Sequence, residues 1–154
     1  MNNFAPLETN LANPALVSDA KYDILLVENN YVIQRIVLMI LTECGHSIEL
    51  AEDGILGLDA FKDRALQNKP FDVIFMKVSM LLMDGMEAVQ CIRAYEMQYE
   101  LSPTPIIAFL GYSTIADREL WHQAGIDYIL THPIRPVDLL DAISRVITEA
   151  GVVL

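Results

Sequence analysis

Phe71-Asp72-Val73-Ile74-Phe75-Met76-Lys77-Val78-Ser79-Met80 decides the fold. Two loop residues lead into a continuous apolar block, Val73 to Met76, rich in β-branched and aromatic side chains. Such a block predicts a strand over 71–76 that is buried on both faces, as in the middle of a parallel sheet. The run ends in Lys77. Open α/β sheets place their chemistry just past the carboxyl ends of their strands. Lys77 therefore stands where a reactive group is expected.

The segments on either side alternate between short apolar runs and helical patterns. Residues 22–27 predict the first strand, which ends at Glu28-Asn29-Asn30. Ile33, Ile36, Val37, Ile40, Leu41 and Cys44 recur at spacings of three and four and predict a helix, which Gly45 stops. A short strand is expected over 46–50. Asp53 caps the next helix, with Gly57, Leu58, Phe61 and Ala65 inward and Asn68-Lys69-Pro70 at its end. Beyond the central strand, Ser79 to Met83 read as a loop. Asp84-Gly85 opens a third helix with Gly85, Ala88, Val89, Ile92 and Tyr95 inward. Pro103 and Pro105 bracket a turn into a strand over 106–110. A helix over about 114–124, a strand over 128–131 ended by His132-Pro133, and a last helix from Pro136 with Leu140, Ile143 and Ile147 as its stripe complete the pattern. Five strands and five helices in strict alternation predict a parallel sheet covered by helices on both sides. Residues 1–20, rich in Asn, Ala, Pro and Ser with Pro6 and Pro14 against any helix, read as a flexible arm. Residues 21–154 read as one domain.

Composition bounds the function. A chain of 154 residues holds one domain with a full core. Hydrophobic content of 53% with 20% charged residues excludes a disordered chain. A net charge of −11 argues against nucleic acid or an anionic membrane as the main partner, because phosphate binding needs Lys and Arg. Cys44 and Cys91 lie on apolar helical faces and are expected to be buried free thiols, not a disulfide or a metal site. The amino terminus lacks the pattern of a secretory signal, and no stretch has the apolar length of a membrane span. A cytoplasmic location is expected, with the nucleus as the alternative.

Four segments carry a resemblance. Ile24-Leu25-Leu26-Val27-Glu28-Asn29-Asn30 resembles the opening of a response-regulator receiver domain, and Val73 to Gly85 resembles the segment around the phospho-accepting aspartate of that family. Thr104 to Gly111 and Gly125 to Ile134 resemble its fourth and fifth strand motifs. The resemblance spans residues 22 to about 149. Cys91-Ile92-Arg93-Ala94-Tyr95-Glu96, Ser102-Pro103-Thr104-Pro105 and Ala116-Asp117-Arg118-Glu119 look most like receivers of fungal-type hybrid histidine kinases. The resemblance implies an α/β, flavodoxin-like (βα)5 three-layer sandwich with sheet order 2-1-3-4-5 and a site around strands one and three.

The family's catalytic positions are altered in this chain. The acceptor carboxylate is matched by Lys77. The pair of acids that hold Mg²⁺ is matched by Glu28 and Asn29. The hydroxyl residue ending strand four is matched by Leu110, and the lysine ending strand five by His132. The aromatic switch position is Ile129, with Tyr128 one residue away on the other face, and Leu81 replaces a loop proline. The resemblance therefore implies a degenerate, non-phosphorylatable pseudo-receiver, without catalytic activity and with Mg²⁺ binding lost. No other cofactor is implied. The ammonium of Lys77 is expected to stand beside Glu28 in roughly the space of the missing metal. The implied partner is a protein: a histidine kinase, a phosphotransfer protein or an output domain of a phosphorelay. A weak homodimer is the further assembly left open.

Other readings compete with this one. A remodelled apolar site could hold a small ligand, and a desolvated Lys77 could act as a catalytic amine, although Glu28 beside it would keep it protonated. His132 reads as a surface group over a pH switch or phosphohistidine, and Ser79 as a loop residue over a kinase target. Asp53 and Asp84 read as helix caps. Met76, Met80, Met83 and Met86 read as gap-filling apolar side chains or an adaptable partner surface. Trp121, Tyr128 and Arg135 are the partner-binding candidates, Trp121 as an exposed aromatic on the fourth helix, with inward packing as its alternative.

Overall fold

The computed structural model describes residues 20–78, 85–111 and 115–151, apart from the side chains of 115–117 and 151. The strands are β1 (Asp23–Val27), β2 (Ser47–Ala51), β3 (Val73–Lys77), β4 (Ile106–Leu110) and β5 (Tyr128–Thr131). They alternate with α1 (Tyr31–Glu43), α2 (Gly54–Leu66), α3 (Gly85–Gln98), α4 (Ile115–Gln123) and α5 (Pro136–Gly151). All neighbouring strands pair in parallel in the order β2-β1-β3-β4-β5. This is the flavodoxin-like order expected, and β3 is central as its apolar run demands. The flexible arm expected over residues 1–20 lies, but for Ala20, outside the described residues. So do the loop 79–84, with Ser79 and the cap at Asp84, and the expected start of α4 at Thr114.

Alternation along the strands splits the core in two. Leu25, Val27, Ile74, Met76, Ile106, Ala108 and Leu110 face Leu58 and Phe61 of α2 and Ala88, Val89 and Ile92 of α3. Ile24, Leu26, Val73, Phe75, Ile107 and Phe109 face Val37, Ile40 and Leu41 of α1 and Leu139, Ala142, Ile143 and Val146 of α5. Close approach makes two glycines necessary. A Cβ on Gly57 would sit 2.7 Å from Val27 Cγ2, and one on Gly85 would sit 2.6 Å from Val78 Cα. The Gly85 amide donates to Val78 O at 2.7 Å, so the start of α3 is tied to the residue that follows β3.

Some side chains lie elsewhere than expected. Ile36 is 41% exposed, and the buried face of α1 is instead completed by Gln34. Cys44 and Cys91 are free but only half-buried. Cys44 sits past the helix, at the C-cap of α1, where the chain already turns toward Gly45 at φ +85°. Met76 is buried and Met86 packs on the core, so both fill apolar space. Met80 and Met83 lie outside the described residues.

The amino edge of the sheet is tied by Arg93. Its guanidinium donates to Gly125 O at 3.0 and 2.7 Å and to Thr104 O at 2.9 Å. It also pairs with Glu96 at 2.7 Å and Asp127 at 3.0 Å. Glu96, 3% exposed, accepts the Thr104 amide at 2.6 Å, and Asp127 accepts the Ile106 amide at 2.8 Å. One side chain thus joins α3 to the loops entering β4 and β5. Removing it strands a buried carboxylate, which is costly. Arg93→Met is expected to lower the unfolding free energy by about 3 kcal/mol in urea titration. A loss within measurement error would show that the network carries no net stability.

Candidate functional site

The carboxyl edge of the sheet brings the ends of β1 and β3 together. Val27 and Met76 are register partners, so Glu28 follows one and Lys77 ends the other. The backbone around Glu28 is fixed first. Its amide donates to Ala51 O at 3.0 Å, and the buried Gln34 amide donates to its carbonyl at 2.6 Å. Asn30 caps α1, its Oδ1 accepting from the Val32 and Ile33 amides at 2.9 and 3.1 Å.

Held this way, Glu28 is 1% exposed. Burial pushes its carboxyl above the ordinary value of 4.5, opposed by the Lys77 ammonium and by the Asn29 amide. That amide donates to Glu28 Oε2 at 3.2 Å. Lys77 Nζ stands 3.7 Å from Glu28 Oε2 and donates to Asn29 Oδ1 at 2.8 Å. The amine therefore stands beside Glu28, as the sequence reading expected, and in addition reaches Asn29, while 27% of the lysine side chain reaches solvent.

The other candidate positions divide. Leu110 is buried at the end of β4, and its carbonyl accepts the His132 amide at 3.3 Å. His132 is exposed and precedes a cis bond to Pro133. With Pro133 and Ile134 it lines a shallow groove against Ile33, Ile36 and Val37 of α1. Ile129 packs on the α2/α3 side of the sheet and Tyr128 on the α1/α5 side, with the Arg145 guanidinium 5.8 Å from its ring. Trp121 is half-buried against the core and not the exposed aromatic expected, because α4 turns it toward the sheet face shared with Ile129. Arg135 is exposed but engaged, donating through Nε and Nη2 to Asp138 at 3.0 and 2.9 Å.

Sequence reasoning missed Gln34, whose signal was a polar residue inside an apolar stripe, and Asn30, a plain cap ahead of an apolar helix. It also missed the apolar rim of this edge. Tyr31 and Val32 open α1 at 65% and 62% exposure, and Ile55 and Leu56 lie exposed in the first turn of α2.

The residues fit an internal ion pair better than a dication. Mg²⁺ takes oxygen ligands in near-octahedral array, usually one or two of them carboxylates. Here the buried carboxylate faces an ammonium, and Asn29 Oδ1 already accepts from that ammonium. A dication between these oxygens would meet the Lys77 charge, so the donor set does not fit it. Among the described residues no group of three or more His, Cys, Asp and Glu is placed to hold a metal.

A five-stranded parallel sheet of this order, with charged groups where β1 and β3 end, defines a flavodoxin-like fold with its site at the carboxyl edge. The chain belongs to the response regulator receiver domain family, which matches residues 24–144. It is 37% identical over 132 residues to a probable histidine kinase 2 of Oryza sativa, covering 80% of this chain and 12% of that protein. It is 32% identical over 126 residues to hybrid signal transduction histidine kinase I of Dictyostelium discoideum, covering 82% of this chain and 7% of that protein. The chain thus spans about an eighth or less of the length of these relatives. Relatives also occur among Pseudomonas and Candida kinases, so the kinship is to receivers of hybrid histidine kinases at large and is not confined to fungal ones.

Among solved structures, the receiver domain of a Pseudomonas aeruginosa sensor histidine kinase, with a magnesium ion in its active site cleft, superposes with TM-score 0.69 at 32% identity. It covers 84% of this chain and 99% of that one. The receiver of Saccharomyces cerevisiae Ssk1, crystallised with the phosphotransfer protein Ypd1, superposes with TM-score 0.77 at 24% identity, covering 86% and 93%.

Removing the lysine isolates the acid. Lys77→Met is expected to raise the Glu28 pKa further and to lower stability at neutral pH by about 2 kcal/mol. Because the folded-state pKa is already raised, the Glu28 contribution to stability falls as pH climbs from 4.5 through that raised value. Carboxyl NMR titration and thermal melts read both. Glu28→Gln should flatten this part of the pH profile, and an unchanged profile would show that Glu28 does not cause it.

Proposed function

We propose that this chain is a pseudo-receiver: a protein-interaction module of two-component phosphorelay signalling that does not itself take up phosphate. The supporting observation is the position of the Lys77 amine, 2.8 Å from Asn29 Oδ1 and 3.7 Å from Glu28 Oε2. An amine at the end of β3 cannot form an acyl phosphate. Its charge also occupies the space in which receivers gather acids around a cation. With Leu110 and Ile129 in place of a polar switch pair, the carboxyl ends of β4 and β5 hold one arrangement, and signalling proceeds by binding.

The partner of this reading is a protein of the same relay: a histidine kinase, a phosphotransfer protein of the kind bound to the yeast receiver, or an output domain. The setting proposed with it is the cytoplasm, with the nucleus as the alternative. No described helix is long and apolar enough to cross a membrane. Lys77 is assigned no nucleophilic role, because its amine is already engaged, donating to Asn29 Oδ1 and paired with Glu28.

Incubation with acetyl phosphate and Mg²⁺ is expected to leave the intact mass unchanged, and Mg²⁺ alone to leave Trp121 fluorescence unchanged. A phosphoryl adduct or a saturable metal response would overturn the reading. Lys77→Asp is expected to remain unlabelled under the same treatment, since Asn29, Leu110 and His132 still differ from the family's pattern. Labelling of that variant would show that the lysine alone blocks the chemistry.

A further inference from the structure

The helix α1, Tyr-Val-Ile-Gln-Arg-Ile-Val-Leu-Met-Ile-Leu-Thr-Glu, is apolar on nearly every side. A helix of that kind is ordinarily covered all round. Here the sheet covers Gln34, Val37, Ile40 and Leu41, while Val32, Ile36 and Met39 remain 62%, 41% and 49% exposed on the opposite side. Val32, Ile36, Met39 and Glu43 follow a four-three-four spacing, the seam of a helix that packs against another helix. The helix carries two charges of opposite sign, Arg35 and Glu43. They lie two turns apart, about 12 Å along the axis, and border one shallow depression with Leu38, Met39 and Thr42. Arg35 is held by Tyr31, its Nε donating to the Tyr31 hydroxyl at 3.0 Å and its guanidinium carbon lying 5.2 Å from the Tyr31 ring centroid, and it has no ion pair among the described residues. Glu43 has no ion pair among the described residues.

A face with a cation at one end and an anion at the other is complementary to itself when turned end for end. That is the requirement of an isologous interface. We propose that α1 of a second copy of this chain docks here, antiparallel, about a two-fold axis between Ile36 and Met39. Side chains lean toward the helix amino terminus, so Arg35 then lies against the partner's Glu43, and Ile36 packs on the partner's Met39. Both pairs occur twice. None of the seam residues forms a described hydrogen bond or ion pair with Lys77, whose partners are Asn29 and Glu28, so this association stands or falls separately from the phosphoryl reading.

Sedimentation equilibrium of the full chain tests it. The expected result is a reversible dimer. Arg35→Glu and Glu43→Arg are each expected to weaken it by about tenfold, and the two together to restore it. Met39→Lys, at an exposed position, should leave circular dichroism unchanged and remove the dimer. A chain that stays monomeric, a double variant no tighter than the single ones, or association that survives Met39→Lys would each overturn the proposal. Cover of Met39 by residues 1–19 or by a different protein would show as a monomer and would do the same.

Discussion

A carboxylate with 1% exposure cannot stand alone in a protein interior. Glu28 is placed there by the chain itself. Its backbone is held by Ala51 and Gln34, and it follows a strand with no exposed residue after Asp23. Everything at this edge follows from satisfying that charge. The ammonium of Lys77 faces it, Asn29 contributes an amide to one and a carbonyl oxygen to the other, and Asn30 starts α1 at the angle that brings Gln34 underneath.

The same physical device recurs at the opposite edge. There the buried anion is Glu96 and the cation is Arg93, which reaches two backbone carbonyls, of Thr104 and Gly125, and two carboxylates, of Glu96 and Asp127. The guanidinium suits that task because its planar donors diverge in fixed directions. A single amine suits the other edge, where one acid and one amide oxygen have to be met from the end of a strand. The sheet is therefore pinned at both ends by charge pairs, with two apolar layers between them.

The fold was legible because its signals are redundant. The run Val73 to Met76 demands a two-sided sheet, and strand-helix alternation with capping residues orders the rest. The bounds of β4 and β5 followed to the residue. Side-chain burial was less legible wherever a helix is apolar on more than one side. Periodicity on α1 could not tell Ile36 from an inward residue, and Gln34 was hidden by an assumption that inner faces are apolar. Trp121 was misjudged because the turn of α4 relative to the sheet depends on packing, which spacing does not encode. At the site, residue types named the right neighbours, since strand ends fix where Glu28, Asn29 and Lys77 meet. They did not reveal that Asn29 would serve both partners, a matter of side-chain rotamer.

The Lys77 amine is tethered through its own side chain to β3. A counter-ion attached by covalent bonds cannot be chelated, exchanged or diluted away. The charge balance around Glu28 is consequently inherited with the polypeptide: its counter-charge is written into the same chain and delivered by the register of β3 on β1.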